Sequence, residues 1–314
     1  MKIVILDGYT ENPGDLSWEW LNKYGEVKVY DRTPADLTLE RIGDADIVYT
    51  NKVELTKEIL IKSKNLKFIG VLAAGYNVVD IVAAKELGIK VTNTPGYGSS
   101  GVAQMVFAHI LEVCNNVYLH NESVRKNEWA NNKDWCYWLK PVIGLNNKTL
   151  GIIGFGNIGR EVGKIGKAFG MNVVVYDKNK VEEAENVELD ELLKRADVIS
   201  LHCPLFPETK EIIRKENIDK MKEGVILVNT SRGPLINEKD LYEALKSGKI
   251  YGAGLDVLVE EPPKENILLS SLDNVYITPH IAWAARESRD NIMKISEKNL
   301  EAYFNGKNLN VVNL

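Results

Sequence analysis

The sequence contains few cysteines, and their number and spacing argue against both disulfides and metal sites. The three cysteines, Cys114, Cys136 and Cys203, are odd in number and form no CxxC pair. None of them has a histidine at the spacing of a zinc ligand. We therefore expect free thiols, no bound metal and a reducing compartment, which for this chain means the cytoplasm.

Long apolar runs and basic clusters are also absent. No run approaches the ~20 residues that cross a bilayer, and the four apolar residues before Asp7 are too few for a signal-peptide core. The lysines are scattered and the formal net charge is −5. This balance argues against nucleic acid or an anionic membrane as a partner, so a small molecule is expected.

Short apolar strands alternate with amphipathic segments along all 314 residues. Because the strands are almost continuously apolar, they indicate parallel sheets that are covered on both faces. A chain of this length suits two domains. The sequence therefore predicts an α/β fold of two doubly wound parallel-sheet domains. The predicted strands cover residues 3–6, 27–30, 46–50, 68–74 and 89–93 in the first series, and residues 150–154, 172–177, 197–202, 224–230, 251–257 and 274–278 in the second.

The seam between the two series falls near the stretch GYGSSG, residues 96–101. The residues that follow it, 99–126, are predicted to form one long helix. A last helical segment, from about residue 283 to 305, has no strand after it. We expect that helix to pack on the first unit, so that residues 1–98 and 285–314 form one domain and residues 99–284 the other.

The stretch LGIIGFGNIG carries the strongest motif in the sequence. Gly154, Gly156 and Gly159 form G-x-G-x-x-G between an apolar strand and a helix, where they allow a tight turn, backbone approach to a pyrophosphate and close helix–strand packing. Asp177 ends the next predicted strand, where a residue that binds the adenosine ribose is expected. A carboxylate there favours NAD over NADP, while the nearby Lys178 and Lys180 oppose that preference.

Three later strand ends carry residues that are suited to reducing a carbonyl. Arg232 follows one predicted strand, Asp256 lies at the end of the next with Glu261 after it, and His280 follows the last. A histidine can supply the proton that an alkoxide needs, and a carboxylate can orient its ring and stabilise its charged form. A guanidinium can bind a substrate carboxylate with two hydrogen bonds. The set indicates a 2-keto acid as substrate.

Each of these residues also has a simpler interpretation when it is considered alone. Most arginines after a strand are solvated, and Glu261 could be an ordinary loop charge. His109 and His120 lie in the predicted long helix, where packing or surface roles are expected. His202 ends a strand and could line a cofactor cleft, although it is not the expected acid.

The segments NTSRGPLIN, GLDVLVEEPP and TPHIAWAA, together with GFGNIG, resemble the D-isomer-specific 2-hydroxyacid dehydrogenase family over essentially the whole chain. The resemblance implies a flavodoxin-like substrate domain and a Rossmann NAD-binding domain, with the cleft between them. It implies that Arg232 binds substrate, that Glu261 partners the histidine, and that His280 donates and accepts the proton. The implied cofactor contacts are Gly154, Phe155, Gly156, Asn157, Ile158, Gly159, Asp177, Cys203, Pro204, Thr209, Asn229, Thr230, Ser231 and Asp256.

The stretch GVLAAGYNVVD resembles the substrate loop of that family, and the amides of Ala74 and Gly75 would then hold the substrate carboxylate. AWAA after His280, Gln104 and DWCYW resemble the glycerate dehydrogenase (hydroxypyruvate reductase) branch. There Trp138 would reach across a homodimer into the partner's substrate pocket, or else serve in packing. The expected reaction is the NAD-dependent interconversion of hydroxypyruvate or glyoxylate with D-glycerate or glycolate.

The resemblance leaves several other activities open. D-lactate dehydrogenase is one alternative, and D-3-phosphoglycerate dehydrogenase is another, although many of its members carry a regulatory domain beyond the position of Leu314. Formate dehydrogenase pairs its histidine with glutamine, so Glu261 argues against it. An NAD-sensing scaffold like the C-terminal-binding-protein corepressors is the non-enzymatic alternative, and the lack of long disordered tails argues against it.

Overall fold

The computed structural model describes residues 1–179, 181–264 and 267–314. Lys180, whose charge opposes the predicted preference for NAD, lies outside these ranges. The chain divides into two compact units, one formed by Met1–Gly98 with Ala284–Leu314 and one formed by Ser99–Trp283. Each unit holds a parallel sheet with helices, so the predicted fold class is confirmed. Within the described ranges, none of the helices combines the length and apolar character that crossing a membrane requires.

The first unit has the strand order β2-β1-β3-β4-β5, and every neighbouring pair is parallel. This is the flavodoxin-like order of a doubly wound sheet. Its strands are β1 (Lys2–Ile5), β2 (Glu26–Val29), β3 (Ile47–Thr50), β4 (Phe68–Val71) and β5 (Lys90–Thr92), and its α-helices are α1 (Gly8–Glu11), α2 (Thr38–Ile42), α3 (Lys57–Lys62), α4 (Ile81–Glu86) and α11 (Arg286–Phe304).

The second unit has the order β12-β11-β10-β9-β6-β7-β8, again with parallel pairing. Counted from its own first strand this is the Rossmann order, whose reversal point lies between β6 and β9. Its strands are β6 (Thr149–Ile153), β7 (Asn172–Tyr176), β8 (Glu185–Asn186), β9 (Val198–Leu201), β10 (Val225–Asn229), β11 (Ile250–Leu255) and β12 (Val275–Ile277), and its α-helices are α5 (Ser99–Asn115), α6 (Val117–Arg125), α7 (Asn157–Ala168), α8 (Leu189–Arg195), α9 (Lys215–Ile218) and α10 (Glu238–Ser247).

The single long helix predicted for residues 99–126 is wrong, because the chain breaks it into α5 and α6. Asn116 stands between them in the left-handed region, with φ of 48°, a conformation that asparagine tolerates better than most residues. Its side chain is held there, since the Tyr276 hydroxyl donates to Oδ1 at 2.7 Å. The predicted strand over 68–74 also ends early, at Val71, because the Leu72 carbonyl accepts from the Asn51 side chain at 2.8 Å.

Helix α11 packs against the sheet of the first unit. The ring centroids of Tyr303 and Phe68 lie 5.0 Å apart. Arg289 forms a bidentate ion pair with Asp15, in which both nitrogen–oxygen distances are 2.7 Å. Arg289 Nη1 also donates to the backbone carbonyl of Glu11 at 2.9 Å. The C-terminal helix therefore belongs structurally to the first sheet, although 185 residues of the second unit (Ser99–Trp283) intervene in sequence.

A buried carboxyl group lies beside this ion pair. Glu11 is fully buried, and Asn51 Nδ2 donates to its Oε1. Burial raises the pKa of Glu11 to about 8, with the Asn51 hydrogen bond opposing the shift and the Asp7 charge adding to it. Since an unfolded glutamate titrates near 4.3, the folded state holds this proton between about pH 4 and pH 8 while the unfolded state releases it.

We expect Glu11→Gln to remove a pH-dependent cost from folding. The free energy of unfolding of the wild type should fall as pH rises from about 4.5 to 8. Over this range the folded state keeps the Glu11 proton, whereas the unfolded chain releases it. At pH 7 the cost is roughly 4 kcal/mol. Urea unfolding at several pH values should therefore show a steeper decline for the wild type than for the variant, which keeps the raised pKa of the buried Asp7 carboxyl. Parallel curves for the two proteins would contradict the assignment.

Candidate active site

Six strands of the second unit end at the same level of the sheet. Several predicted site residues come just after these strand ends in the sequence. In the sheet register Tyr176 pairs with Ile153, Ile153 with Leu201, Leu201 with Asn229, and Asn229 with Leu255. Leu255 in turn pairs with Ile277. Ligands of doubly wound sheets bind at such carboxyl ends. The residues that come next on the six strands are Asp177, Gly154, His202, Thr230, Asp256 and Thr278.

The glycine turn lies at the start of helix α7 and requires glycine at two points. Gly154 has φ of +92°, and a Cβ there would lie 2.5 Å from Cys203 N. A Cβ on Gly159 would lie 2.3 Å from the carbonyl oxygen of Gly154. By contrast, a Cβ on Gly156 would meet no atom within 4 Å. The space in front of Gly156 is therefore open for a ligand to approach the backbone.

The N-terminus of helix α7 fits a pyrophosphate. Its N-cap is Gly156, which offers no side chain to the first-turn amides of Asn157 and Ile158. Those N–H groups and the helix dipole favour an anion at this point. The adjacent amide of Phe155 is already used, because it donates to Asp177 Oδ2 at 2.8 Å. Asp177 therefore stabilises the glycine turn and also lines the cavity beside it.

Asp177 is an ionised carboxylate beside an open cavity. Burial would raise its pKa, but hydrogen bonds from the Phe155 and Asn179 amides and the charge of Lys178 outweigh burial and hold the pKa below its ordinary value. Each carboxylate oxygen accepts one amide and keeps further acceptor capacity. The cavity has a volume of about 670 Å³ and is lined by Tyr176, Asp177, Lys178, Asn179, Val181, Asn186, Val187, Glu188 and Glu191.

The remaining predicted cofactor residues surround the ends of strands β9 and β10. Ser231 Oγ donates to the Cys203 carbonyl at 2.8 Å, which joins the loop after β10 to the loop after β9. Within the loop after β9, Thr209 Oγ1 donates to the Pro204 carbonyl at 2.7 Å. Thr230 Oγ1 is buried and has no hydrogen-bond partner within the described part of the chain. An orphaned hydroxyl at the strand edge fits a bound polar ligand.

His280 and Glu261 form a hydrogen-bonded pair. His280 Nδ1 lies 2.7 Å from Glu261 Oε2, and the two side chains are 33% and 34% exposed. Glu261 is held in turn, because the Leu258 amide donates to its Oε1 at 2.9 Å. The carboxylate fixes one ring nitrogen of His280, which leaves Nε2 as the nitrogen for an external group. A positioned imidazole with a carboxylate partner is an acid–base pair.

The loop that carries His280 is fixed from beneath by Asp256. The amides of Ile281 and Ala282 donate to the two oxygens of the Asp256 carboxylate at 2.9 and 2.8 Å, and the His280 amide donates to the Asp256 carbonyl at 2.9 Å. His280 has φ of 54°, which a non-glycine residue seldom adopts. Asp256 is itself 1% exposed, so its carboxylate acts here as a buried anchor.

Sequence reasoning missed His109, which extends this anchor. The Thr278 hydroxyl donates to Asp256 Oδ1 at 2.6 Å, so His109 Nε2, at 3.1 Å from the same hydroxyl, must be the donor to it. Burial lowers the pKa of His109, against the opposing charge of Asp256, and keeps the ring neutral. A signal was present: Gly254 lies inside a strand, and a Cβ there would lie 2.4 Å from His109 Cβ.

Arg232 projects from the end of strand β10, next to the loop that holds Glu261. Its carbonyl accepts from Asn229 Nδ2 at 2.8 Å, and its exposed guanidinium donates through Nη1 to the Ser231 carbonyl at 2.7 Å. The next residue, Gly233, packs so closely that a Cβ would lie 2.0 Å from the Leu258 carbonyl. Arg232 and the Glu261 loop are therefore neighbours in one unit.

The sequence also named Ala74, Gly75, Trp138 and His202 as candidates. Ala74 and Gly75 follow strand β4 in the first unit, and within the described residues neither amide donates a hydrogen bond. Trp138 is 69% exposed in the loop after α6. His202 is not free for acid–base work, because its Nε2 lies 2.8 Å from Ser200 Oγ and burial lowers its pKa to about 3. No cluster of His, Cys, Asp or Glu in the described ranges could hold a metal.

A dinucleotide turn and a histidine–carboxylate pair on one strand edge define a nucleotide-dependent oxidoreductase. Residues 107–282 match the model for "D-isomer specific 2-hydroxyacid dehydrogenase, NAD binding domain". The chain belongs to the D-isomer specific 2-hydroxyacid dehydrogenase family, and it is an NAD-dependent enzyme that interconverts 2-keto acids and D-2-hydroxy acids, as the sequence predicted.

Two curated relatives and one solved structure illustrate the match. The chain is 54% identical to a hydroxypyruvate reductase of Blautia hydrogenotrophica, with all of both chains covered. It is 38% identical to a glycerate dehydrogenase of Methylorubrum extorquens, covering 99% of this chain and 98% of that protein. The structure of D-lactate dehydrogenase from Aquifex aeolicus, complexed with NAD and lactic acid, has 32% identity and a TM-score of 0.83, covering 100% and 99%.

Proposed function

We propose that this enzyme reduces hydroxypyruvate and glyoxylate with NADH, giving D-glycerate and glycolate. The observation that carries the reaction is the 2.7 Å pair of His280 and Glu261 at the strand edge that also bears the glycine turn. The full-length similarity to a hydroxypyruvate reductase supports the choice of substrate. Glu261 also separates the chain from a formate-oxidising enzyme, which releases carbon dioxide and needs no proton exchange.

In this proposal His280 exchanges the proton with the substrate oxygen. Glu261 accepts from its Nδ1 and stabilises the charged ring, so Nε2 faces the substrate. Arg232 binds the substrate carboxylate and polarises the carbonyl beside it. The amides of Ala74 and Gly75 in the first unit, which donate no hydrogen bond among the described residues, would bind a substrate carboxylate. The buried Asp256 keeps His280 in its uncommon backbone conformation throughout.

The chain's own groups would hold NAD along the strand edge. The amides of Asn157 and Ile158 would bind the pyrophosphate at the helix start, Asp177 the adenosine ribose, and the unpartnered Thr230 hydroxyl a polar group of the cofactor. Phe155, Gly159, Cys203, Pro204, Thr209, Asn229 and Ser231 would shape this channel. When bound, NAD supplies or accepts the hydride of the reaction.

We expect Asp177 to set the preference for NADH. Replacing it by serine removes a charged acceptor of ribose hydroxyls, worth on the order of 10- to 100-fold, and removes the repulsion of a 2′-phosphate. Asp177→Ser should therefore lower kcat/KM with NADH and raise it with NADPH. Glu188→Ser, in the same cavity, is the control for a general charge effect. Equal efficiency of the wild type with both cofactors would refute this role.

The substrate choice is tested by initial rates with NADH against hydroxypyruvate, glyoxylate, pyruvate and 3-phosphohydroxypyruvate. We expect hydroxypyruvate and glyoxylate to have the highest kcat/KM. A higher value for pyruvate would make the protein a D-lactate dehydrogenase. A higher value for the phosphorylated substrate would make it a D-3-phosphoglycerate dehydrogenase.

We also propose a cytoplasmic homodimer in which Trp138 faces the partner's substrate pocket. The loop around it exposes a large aromatic surface, with Trp129 at 50% and Trp135 at 88% exposure. The loop is also fixed in place, because the Leu139 amide donates to His120 Nε2 at 3.1 Å. The three free thiols suit a reducing compartment. Sedimentation giving a monomer at micromolar concentration, or fractionation outside the cytoplasm, would contradict the proposal.

A further inference from the structure

The substrate loop of the first unit is oriented through its carbonyl groups. The Thr94 amide donates to the Ala73 carbonyl at 3.0 Å, and Asn93 Nδ2 donates to the Ala74 carbonyl at 2.7 Å. In a trans peptide the carbonyl and the following N–H point in opposite directions. Fixing these two carbonyls on one side therefore aims the N–H groups of Ala74 and Gly75 to the other side.

Asn93 is itself held by a closed ring of three asparagines. Its amide donates to the Asn310 carbonyl at 3.2 Å. Asn310 Nδ2 donates to Asn299 Oδ1 at 2.8 Å, and Asn299 Nδ2 donates back to the Asn93 carbonyl at 2.8 Å. Each residue thus donates to the next, and the ring fixes the side-chain amides of Asn299 and Asn310 and the backbone of Asn93.

The ring uses the backbone N–H and the backbone carbonyl of Asn93. Its side-chain Nδ2 is therefore available to donate to the Ala74 carbonyl. Asn299 lies in helix α11 and is 2% exposed, so the ring is anchored in the core of the unit. Asn310 has φ of 52°, a left-handed conformation that asparagine adopts more easily than most residues. Asn93 directly follows strand β5, Asn299 lies in the C-terminal helix, and Asn310 lies in the C-terminal tail.

We propose that Asn93 is a positioning residue for the substrate carboxylate, and that Asn299 and Asn310 keep it in place. The inference rests on the proposed role of the Ala74 and Gly75 amides and extends it to the C-terminal segment. Asn93 touches neither substrate nor cofactor in this account. It acts by fixing the plane of the peptide between Ala74 and Gly75, from which the second N–H projects.

The test compares Asn93→Asp with Asn313→Asp in the full-length enzyme. Asn93→Asp keeps the side-chain shape but replaces the donor to the Ala74 carbonyl by an oxygen that repels it. Asn313 is the matched control, because it also ties the C-terminal tail to β5, through the Ile89 carbonyl at 2.7 Å and the Val91 amide at 3.0 Å, without bonding the loop. Thermal melting reports whether each variant is folded.

We expect KM for hydroxypyruvate to rise by on the order of 10-fold in Asn93→Asp, with kcat and the Kd for NADH nearly unchanged. Asn313→Asp should keep the wild-type KM. Asn310→Gly, which keeps the left-handed backbone but removes the side-chain donor, should raise KM less and should add nothing in the double variant with Asn93→Asp. A wild-type KM in folded Asn93→Asp would overturn the inference, as would additive effects in the double variant.

A second measurement separates this inference from the proposed function. The ¹H–¹⁵N resonances of the Ala74 and Gly75 amides should shift in Asn93→Asp, and in Asn93→Ala if the first variant unfolds, but not in Asn313→Asp. If the wild type reduces no keto acid, the proposed function fails while these shifts still decide the positioning role. If the wild type is active and the shifts are absent, only the positioning role fails.

Discussion

Replacing His280 by alanine should lower kcat for keto-acid reduction by on the order of 10²- to 10⁴-fold. The imidazole is held by Glu261 at 2.7 Å and by a loop that Asp256 anchors, so the alanine variant loses the positioned acid that would deliver the proton. Removing the ring leaves that anchor intact. Stopped-flow or steady-state assays should therefore show the loss in kcat, with an unchanged Kd for NADH by fluorescence titration.

Replacing Glu261, the hydrogen-bond partner of His280, should change the pH dependence of the reaction. Glu261→Gln keeps a hydrogen-bond acceptor at Nδ1 but loses the charge that stabilises the protonated ring, so the pH range for reduction should move toward acid. Glu260→Gln is the adjacent control, because that exposed carboxylate pairs only with Lys264 at 2.8 Å among the bonds described. Wild-type activity in His280→Ala, or an unmoved pH profile in Glu261→Gln, would remove these residues from the chemistry.

Replacing Arg232 by lysine should raise KM for the keto acid while charge is conserved. The planar guanidinium can bind a carboxylate with two parallel hydrogen bonds, whereas an ammonium acts as a point charge. Losing one charge-assisted bond costs about 1.5–3 kcal/mol, which is on the order of 10- to 100-fold in kcat/KM. Arg214→Lys is the matched control, since that exposed arginine pairs with Glu216 at 2.9 Å in the same unit. An unchanged KM would mean that the carboxylate binds elsewhere.

The fold and the charged residues of the site could be predicted because each leaves a local signal. Continuous apolar strands specify parallel pairing. Gly154 and Gly159 are required by close backbone contacts, and Gly156 leaves open space for a ligand. Arg232 and His280 each stand three residues after a strand end, at the edge where parallel sheets bind ligands. In these cases the chemistry of a few neighbouring residues determines the structure.

The parts that could not be predicted depend on residues that are distant in sequence. The break at Asn116 is stabilised by Tyr276, 160 positions later, and strand β8 is only two polar residues, Glu185–Asn186, without an apolar pattern. His109 reaches Asp256 only through Thr278, on another strand. Single-sequence patterns report local preference, whereas these contacts are set by tertiary packing.

The common level of the six strand ends has a consequence for redesign of this enzyme. Side chains alternate along a strand, so an insertion or deletion of one residue within β10 would turn Asn229 to the opposite face and displace Arg232 by about 3.3 Å along the strand. Loops that carry none of Arg232, Glu261 and His280 face no such constraint. Libraries that aim at new keto acids should therefore vary loop lengths and keep every strand length fixed.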